Sequence, residues 1–190
     1  MSGQRSNTRT KTLRVTPLDT GGIAFEAELR DESAGGHYES PQASSALVHH
    51  FVIEGAAAGE DLRIQSIQVR AEQHPFPQCP FVLLDVQDLV GASLLSGWRR
   101  TILDRFRGTA GCTHVTTLLL GLSEVTTLVY FQQMNELATY GPKTRASGEW
   151  LAGGLSLGQR FDDACHVLAA GGPVLSTAEA FRGRPDAATP

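Results

Sequence analysis

Cysteine is scarce and odd in number: Cys79, Cys112 and Cys165 are the only three among 190 residues. That excludes a disulfide framework, and the absence of any Cys-x-x-Cys pair removes the strongest sequence signal for a metal ribbon or a redox motif. Lys and Arg are nowhere gathered into a run, and the net charge is −4. The electrostatic footprint of a nucleic-acid binder is therefore missing, and no nucleic-acid partner is expected. No glycine-rich phosphate loop follows a strand pattern, and no lysine sits in a recognisable cofactor motif, so no organic cofactor is expected. An uninterrupted run of about 18 apolar residues, the length needed to cross a bilayer, is also lacking. The polar first twelve residues do not resemble a secretion signal, and the expectation is a cytoplasmic chain without membrane contact.

What is present is an ordinary globular composition. An apolar share of 41% against 19% charged residues supports a sizeable core, and the length suits one domain. The reading is a single α+β domain over residues 11–180. Residues 1–10 form a mobile N-terminus with nothing to bury, and residues 181–190 form a mobile tail.

The first half of the chain alternates with a period of two. Leu13 and Val15, then Ile23, Phe25, Ala27 and Leu29 after the turn signal Asp19-Thr20-Gly21-Gly22, predict a hairpin with one wet face. In the next strand Leu47, His49, Phe51 and Ile53 share one face, and Val48, His50 and Val52 the other. The phase of Leu62 and Ile64 shifts before Ile67, Val69 and Ala71, as a β-bulge at Gln65-Ser66 would require. Four strands joined by turns predict an N-terminal antiparallel sheet packed against C-terminal helices.

Helical spacing follows. A short helix is expected over Val82 to Leu89, with Cys79 at its N-cap position before Pro80. A second is marked by Leu94, Leu95, Trp98, Ile102 and Phe106, and a long one runs from Thr113 to Thr139. Residues 145–159 read as a loop or short helix, and Asp162 to Leu168 as a last short ordered segment.

The candidate chemistry centres on Gly108-Thr109-Ala110-Gly111-Cys112-Thr113-His114, where two glycines separate two helices. A helix start presents unpaired N–H groups and the positive end of the macrodipole, which favours a thiolate or a substrate oxyanion. Cys112 and His114 are thus candidates for catalysis. His49 and His50 lie on opposite strand faces, so one must face whatever covers the sheet. His49 is the candidate general base, and Asp31 at the end of its strand is placed to orient it. The alternative is plain: a strand-end aspartate is commonly a turn residue, and free cysteines commonly just pack. His37 and His74 fall in loops. Cys79, Cys112, Cys165 and His114 together have the donor types of a four-ligand zinc site.

The succession Leu29-Arg30-Asp31, His49-His50-Phe51-Val52-Ile53, Pro77-Gln78-Cys79, Leu89-Val90-Gly91 with Gly97-Trp98, Gly111-Cys112-Thr113-His114 and Asp163-Ala164-Cys165-His166 resembles a bacterial domain family of unknown function, number 2889. The resemblance covers about Leu13 to Leu175, and its Gly-Cys-Thr-His element is the most specific part, with Val115 standing where leucine is usual. It implies that the cysteine-bearing turns belong together, and a setting in bacterial breakdown of aromatic compounds. The functional expectation is a small-molecule enzyme working by acid–base chemistry, a lyase or a hydrolase with the lyase preferred, carbon–carbon bond cleavage of an aromatic catabolite being one reaction open to it. The alternative is a metal-binding accessory protein with a structural Cys/His site and no turnover. An apolar edge strand would allow a homodimer.

Overall fold

The computed structural model describes residues 6–34, 45–158 and 161–184, and His37 lies outside them. The chain divides into two compact units, Met1–Thr126 and Thr127–Pro190, where the sequence reading takes residues 11–180 as one domain.

The first unit is built on a four-stranded antiparallel meander: β1 (Thr8–Pro17), β2 (Ile23–Ala34), β3 (Ser45–Ala58) and β4 (Arg63–Gln73), in the order β1-β2-β3-β4. The fold is α+β, as the alternation implies. β1 begins at Thr8 although residues 8–10 contribute no apolar surface. They are held by the ladder to β2 and by the pairing of Arg9 with Asp31, a polar tether that an argument from burial overlooks.

One sheet face is apolar because the pleat sends alternate residues the same way. Ile23, Phe25, Ala27 and Leu29 of β2 lie beside Phe51, Ile53 and Ala57 of β3 and Ile64 and Ile67 of β4, all buried. Gly55 has no Cβ for a reason: one would fall 2.5 Å from the Phe25 ring. The opposite face is wet, with Arg14 bound to Glu26 at 2.5 Å and Arg70 to Glu54 and Glu72.

Gln65 is the extra residue where β4 slips against Ala56 and Ala57, which is the bulge expected at Gln65-Ser66. A second bulge is not visible in the alternation. Asp31 pairs with His49 but Glu32 with Leu47, so Val48 is unpaired. Leu47 therefore leaves the face of His49, and Ala46 is buried instead.

Two 3₁₀ turns, Cys79–Val82 and Leu84–Leu89, replace the expected short α-helix. Bonds such as Leu83 N to Pro80 O close three-residue turns, and buried Val86 and Leu89 anchor the segment. Helix α1 (Trp98–Phe106) starts later than Leu94 because Ser93 Oγ accepts the amides of Leu95 and Ser96 while donating to Asp61 O. It buries Trp98, Ile102 and Phe106 at helical spacing. Helix α2 (Thr113–Gly121) lies against β2 and β3, burying Val115, Leu118 and Leu119. Trp98 Nε1 donates to Leu119 O at 2.6 Å, joining the two helices.

The expected long helix is α2, a 3₁₀ turn at Leu122–Glu124, and α3 (Val125–Leu137). Together Thr113–Leu137 spans 25 residues, long and apolar enough by length and composition alone to cross a membrane. Counting uninterrupted apolar residues does not find it. Its buried positions, Val115, Leu118, Leu119, Leu122 and Val125, form one inward stripe, and 28% of its most apolar 18 residues are buried.

In the second unit, α4 (Pro142–Ser147), α5 (Glu149–Ser156) and α6 (Pro173–Arg182) surround a small core of Met134, Leu151, Ala152, Phe161, Leu175 and Ala178. Helix α6 escapes the sequence reading. Its signals are Pro173 in the first turn and the buried pair Leu175 and Ala178.

Candidate functional site

Arg9, Asp31 and His49 occupy one rung across β1, β2 and β3, on the apolar side of the sheet. The neighbouring rung carries Leu29 and Phe51, both fully buried. Polar side chains thus begin where the apolar ladder ends, beside the bulge at Val48. Helix α2 then delivers His114, its second residue, onto this rung. The His114 ring lies 3.9 Å from that of His49 and nearly parallel to Phe51 at 5.6 Å.

Asp31 is the hub. Arg9 Nε donates to Oδ1 at 2.6 Å and Arg9 Nη2 to Oδ2 at 2.7 Å, a bidentate grip. The same Oδ2 lies 3.0 Å from His49 Nδ1 and 3.3 Å from His114 Nε2. The other nitrogen of His114, Nδ1, lies 3.6 Å from Cys112 Sγ. Cys112 is the N-cap residue of α2 and half-buried.

The Arg9 hydrogen bonds hold the Asp31 carboxyl below its usual range, with burial working against them and the His49 contact adding to them. Burial pushes His114 below its usual imidazole value. Neighbouring His49 and Arg9 push the same way, and Asp31 partly opposes them. His114 is therefore neutral at pH 7. With ionised Asp31 able only to accept, the single ring proton of His114 is assigned to Nε2, leaving the Nδ1 lone pair toward the Cys112 thiol. The chain Cys112, His114, Asp31 has the order of a nucleophile, a base and an orienting carboxylate.

All four residues expected to carry catalysis, His114, Cys112, His49 and Asp31, are thus brought together. The four-ligand cysteine set is not. Among the described residues the group whose donor atoms could share one ion is Asp31, His49 and His114, and it contains no cysteine. Cys112 faces the wrong nitrogen of His114 to join it. Cys79 opens a 3₁₀ turn whose cap is Gln78, and is half-buried. Cys165 is exposed in the second unit. His50 faces the wet side, 2.7 Å from Glu28 but out of line for a hydrogen bond, and His74 Nδ1 is taken by Phe76 O.

For a metal, the N···O separations of 3.0 and 3.3 Å are near the ~3.3 Å edge of a tetrahedron with 2.0–2.1 Å bonds. Arg9 works against it, occupying both carboxylate oxygens with a positive charge.

Arg9 is the site residue that sequence reading missed. Its signal was available: pairs spread evenly from Pro17↔Ile23 place Arg9 opposite Asp31.

No curated protein and no solved structure matches the chain. A family model does match, and its range takes in Arg9, Asp31, His49, Cys112 and His114 but leaves out Asp163 to His166. The chain belongs to the family described as a protein of unknown function (DUF2889), matched over residues 7–128.

Proposed function

We propose that the first unit is a small-molecule enzyme working by acid–base catalysis without an organic cofactor, of lyase type, with an aromatic compound as substrate. The observation that carries this reading is the double use of His114: one nitrogen on Asp31, the other on Cys112. A neutral imidazole has a lone pair free to accept a proton from substrate, and Asp31 offsets part of the burial that disfavours the imidazolium that forms. In the proposed step His114 or His49 removes the proton of a side-chain hydroxyl. The oxygen's electron pair becomes a carbonyl as the adjacent carbon–carbon bond breaks, and the electron pair left on the ring-bearing carbon takes a proton back from the imidazolium. No electrons are gained or lost overall.

The test is a panel of aromatic compounds with hydroxylated side chains, with released carbonyl trapped as its hydrazone and both fragments identified by mass. Wild type is expected to cleave a member of the panel, and His114→Gln to be slower by about 100-fold or more. Cleavage by the variant at the wild-type rate, or no cleavage of any member, would count against the reading.

One observation favours a second reading, a metal-binding protein without turnover: the three donors Asp31, His49 and His114 converge at spacings an ion would accept. Elemental analysis separates the two. About one zinc per chain, lost in Asp31→Asn, supports the second reading, and metal-free protein that cleaves substrate supports the first.

A further inference from the structure

Outside the Asp31 rung, the first unit has a hollow of about 680 Å³ along α1, lined by Arg99, Arg100, Arg107 and Asp104 over an apolar floor that includes Leu95 and Leu103. It is a shallow trough open to solvent, with a volume in the range of small-molecule sites, roughly 300–1,000 Å³. The charge there is the reverse of the whole: three guanidiniums face one carboxylate in a chain of net charge −4.

The arginines also differ from their neighbours. Arg105, on the same helix, is paired with Asp88 at 3.4 Å, and Arg9, Arg14, Arg30, Arg63 and Arg70 all have carboxylate partners. Among the described residues Arg99, Arg100 and Arg107 have no ion pair or side-chain hydrogen bond. Trp98 beneath them is buried, with its N–H donating to Leu119 O, so the apolar surface open to a ligand is that of Leu95 and Leu103. An apolar floor rimmed by unpaired forked donors suits a ligand with an anionic end and an apolar body.

We infer that the α1 hollow is a binding site for a small amphipathic organic anion, a phosphate or carboxylate head on an apolar body. The inference is independent of the reading given to the Asp31 rung. The head sits among Arg99, Arg100 and Arg107, the body lies on Leu95 and Leu103, and Asp104 opposes binding.

The experiment is calorimetric titration of the full chain with phenyl phosphate and with inorganic phosphate, at low and at physiological salt. Phenyl phosphate is expected to bind saturably and tighter than phosphate, and to weaken as salt rises. Replacing all three arginines together, Arg99→Gln, Arg100→Gln and Arg107→Gln, should weaken it by about tenfold or more. Asp104→Asn should tighten it, a gain of binding that misfolding cannot imitate. Absence of saturable binding, equal affinity for the two probes, or affinity unchanged in either variant would overturn the inference.

Discussion

Asp31→Asn keeps the shape of the hub and removes its charge. In wild type the carboxylate receives two bonds from Arg9 at 2.6 and 2.7 Å, lies 3.0 Å from His49 Nδ1 and 3.3 Å from His114 Nε2, and is itself only 16% exposed. A hydrogen bond to a charged group contributes about 1 kcal/mol more than a neutral one. Because the Arg9 side chain is 44% exposed, solvent screens its two bonds, and they are discounted by about half. The histidine contacts are sheltered and keep most of theirs, so the loss comes to about 2–3 kcal/mol. The asparagine amide makes matters worse, since its NH₂ must face donors.

Urea unfolding followed by Trp98 fluorescence in a Trp150→Phe background reads this as a midpoint lower by about 1 M, taking an m-value near 2 kcal/mol per molar. The pH dependence supplies a second check. The Asp31 pKa is depressed in the folded state, so its contribution is present above the usual aspartate value and lost as pH falls through the lower folded one. The gap between variant and wild type should therefore close in acid. A difference under about 0.5 kcal/mol at pH 7, within the range of ordinary surface substitutions, would refute the reasoning, as would a gap that stays constant into acid.

Other outcomes follow from the same geometry. Arg9→Gln should destabilise the first unit by less than Asp31→Asn, about 1 kcal/mol, since Arg9 is the exposed partner; equal losses in urea would contradict the ranking. Because the folded pKa of His114 is depressed, the unfolded chain binds the proton first. This group's contribution makes stability rise with pH from that lowered value up to about the usual 6.5, and nothing changes above it. Against wild type, a His114→Gln variant should lack that part of the slope. Trp98→Phe removes one of the two donors of Leu119 O, leaving the Leu122 N–H, and opens space in the core, a loss of about 1–3 kcal/mol measurable by thermal unfolding. Gly111→Ala would set a Cβ 2.3 Å from Phe106 O, so it should destabilise by about 1–3 kcal/mol and slow any turnover. Wild-type stability and rate in that variant would mean the helix start tolerates displacement.

The parts of this arrangement legible in the sequence are those written in local pattern. Alternation gave the four strands and the sidedness of His49 against His50, and the glycines before Cys112 marked the start of α2. The bulge at Gln65 was legible because apolar residues on both sides of it change phase, whereas the one at Val48 was hidden because both faces there are apolar. Arg9 was missed because its role is electrostatic and lies across a hairpin, where no hydrophobic period speaks for it. The cysteines misled in the opposite direction: three thiols beside turns look alike in sequence, but only Cys112 has a helix that carries its neighbour His114 onto the sheet. Helix α6 was obscured by the glycines flanking it, which read as a boundary and hid the Leu175 and Ala178 stripe.

His114 is held neutral between a carboxylate and a thiol. Its titration, followed by the imidazole carbon proton in nuclear magnetic resonance, tests this without any substrate. The midpoint is expected below 6.5 in wild type, moving further down in Asp31→Asn, which removes the group that favours the imidazolium, and upward in Arg9→Gln, which removes one that opposes it. A midpoint at or above 6.5, indifferent to both substitutions, would contradict a neutral His114.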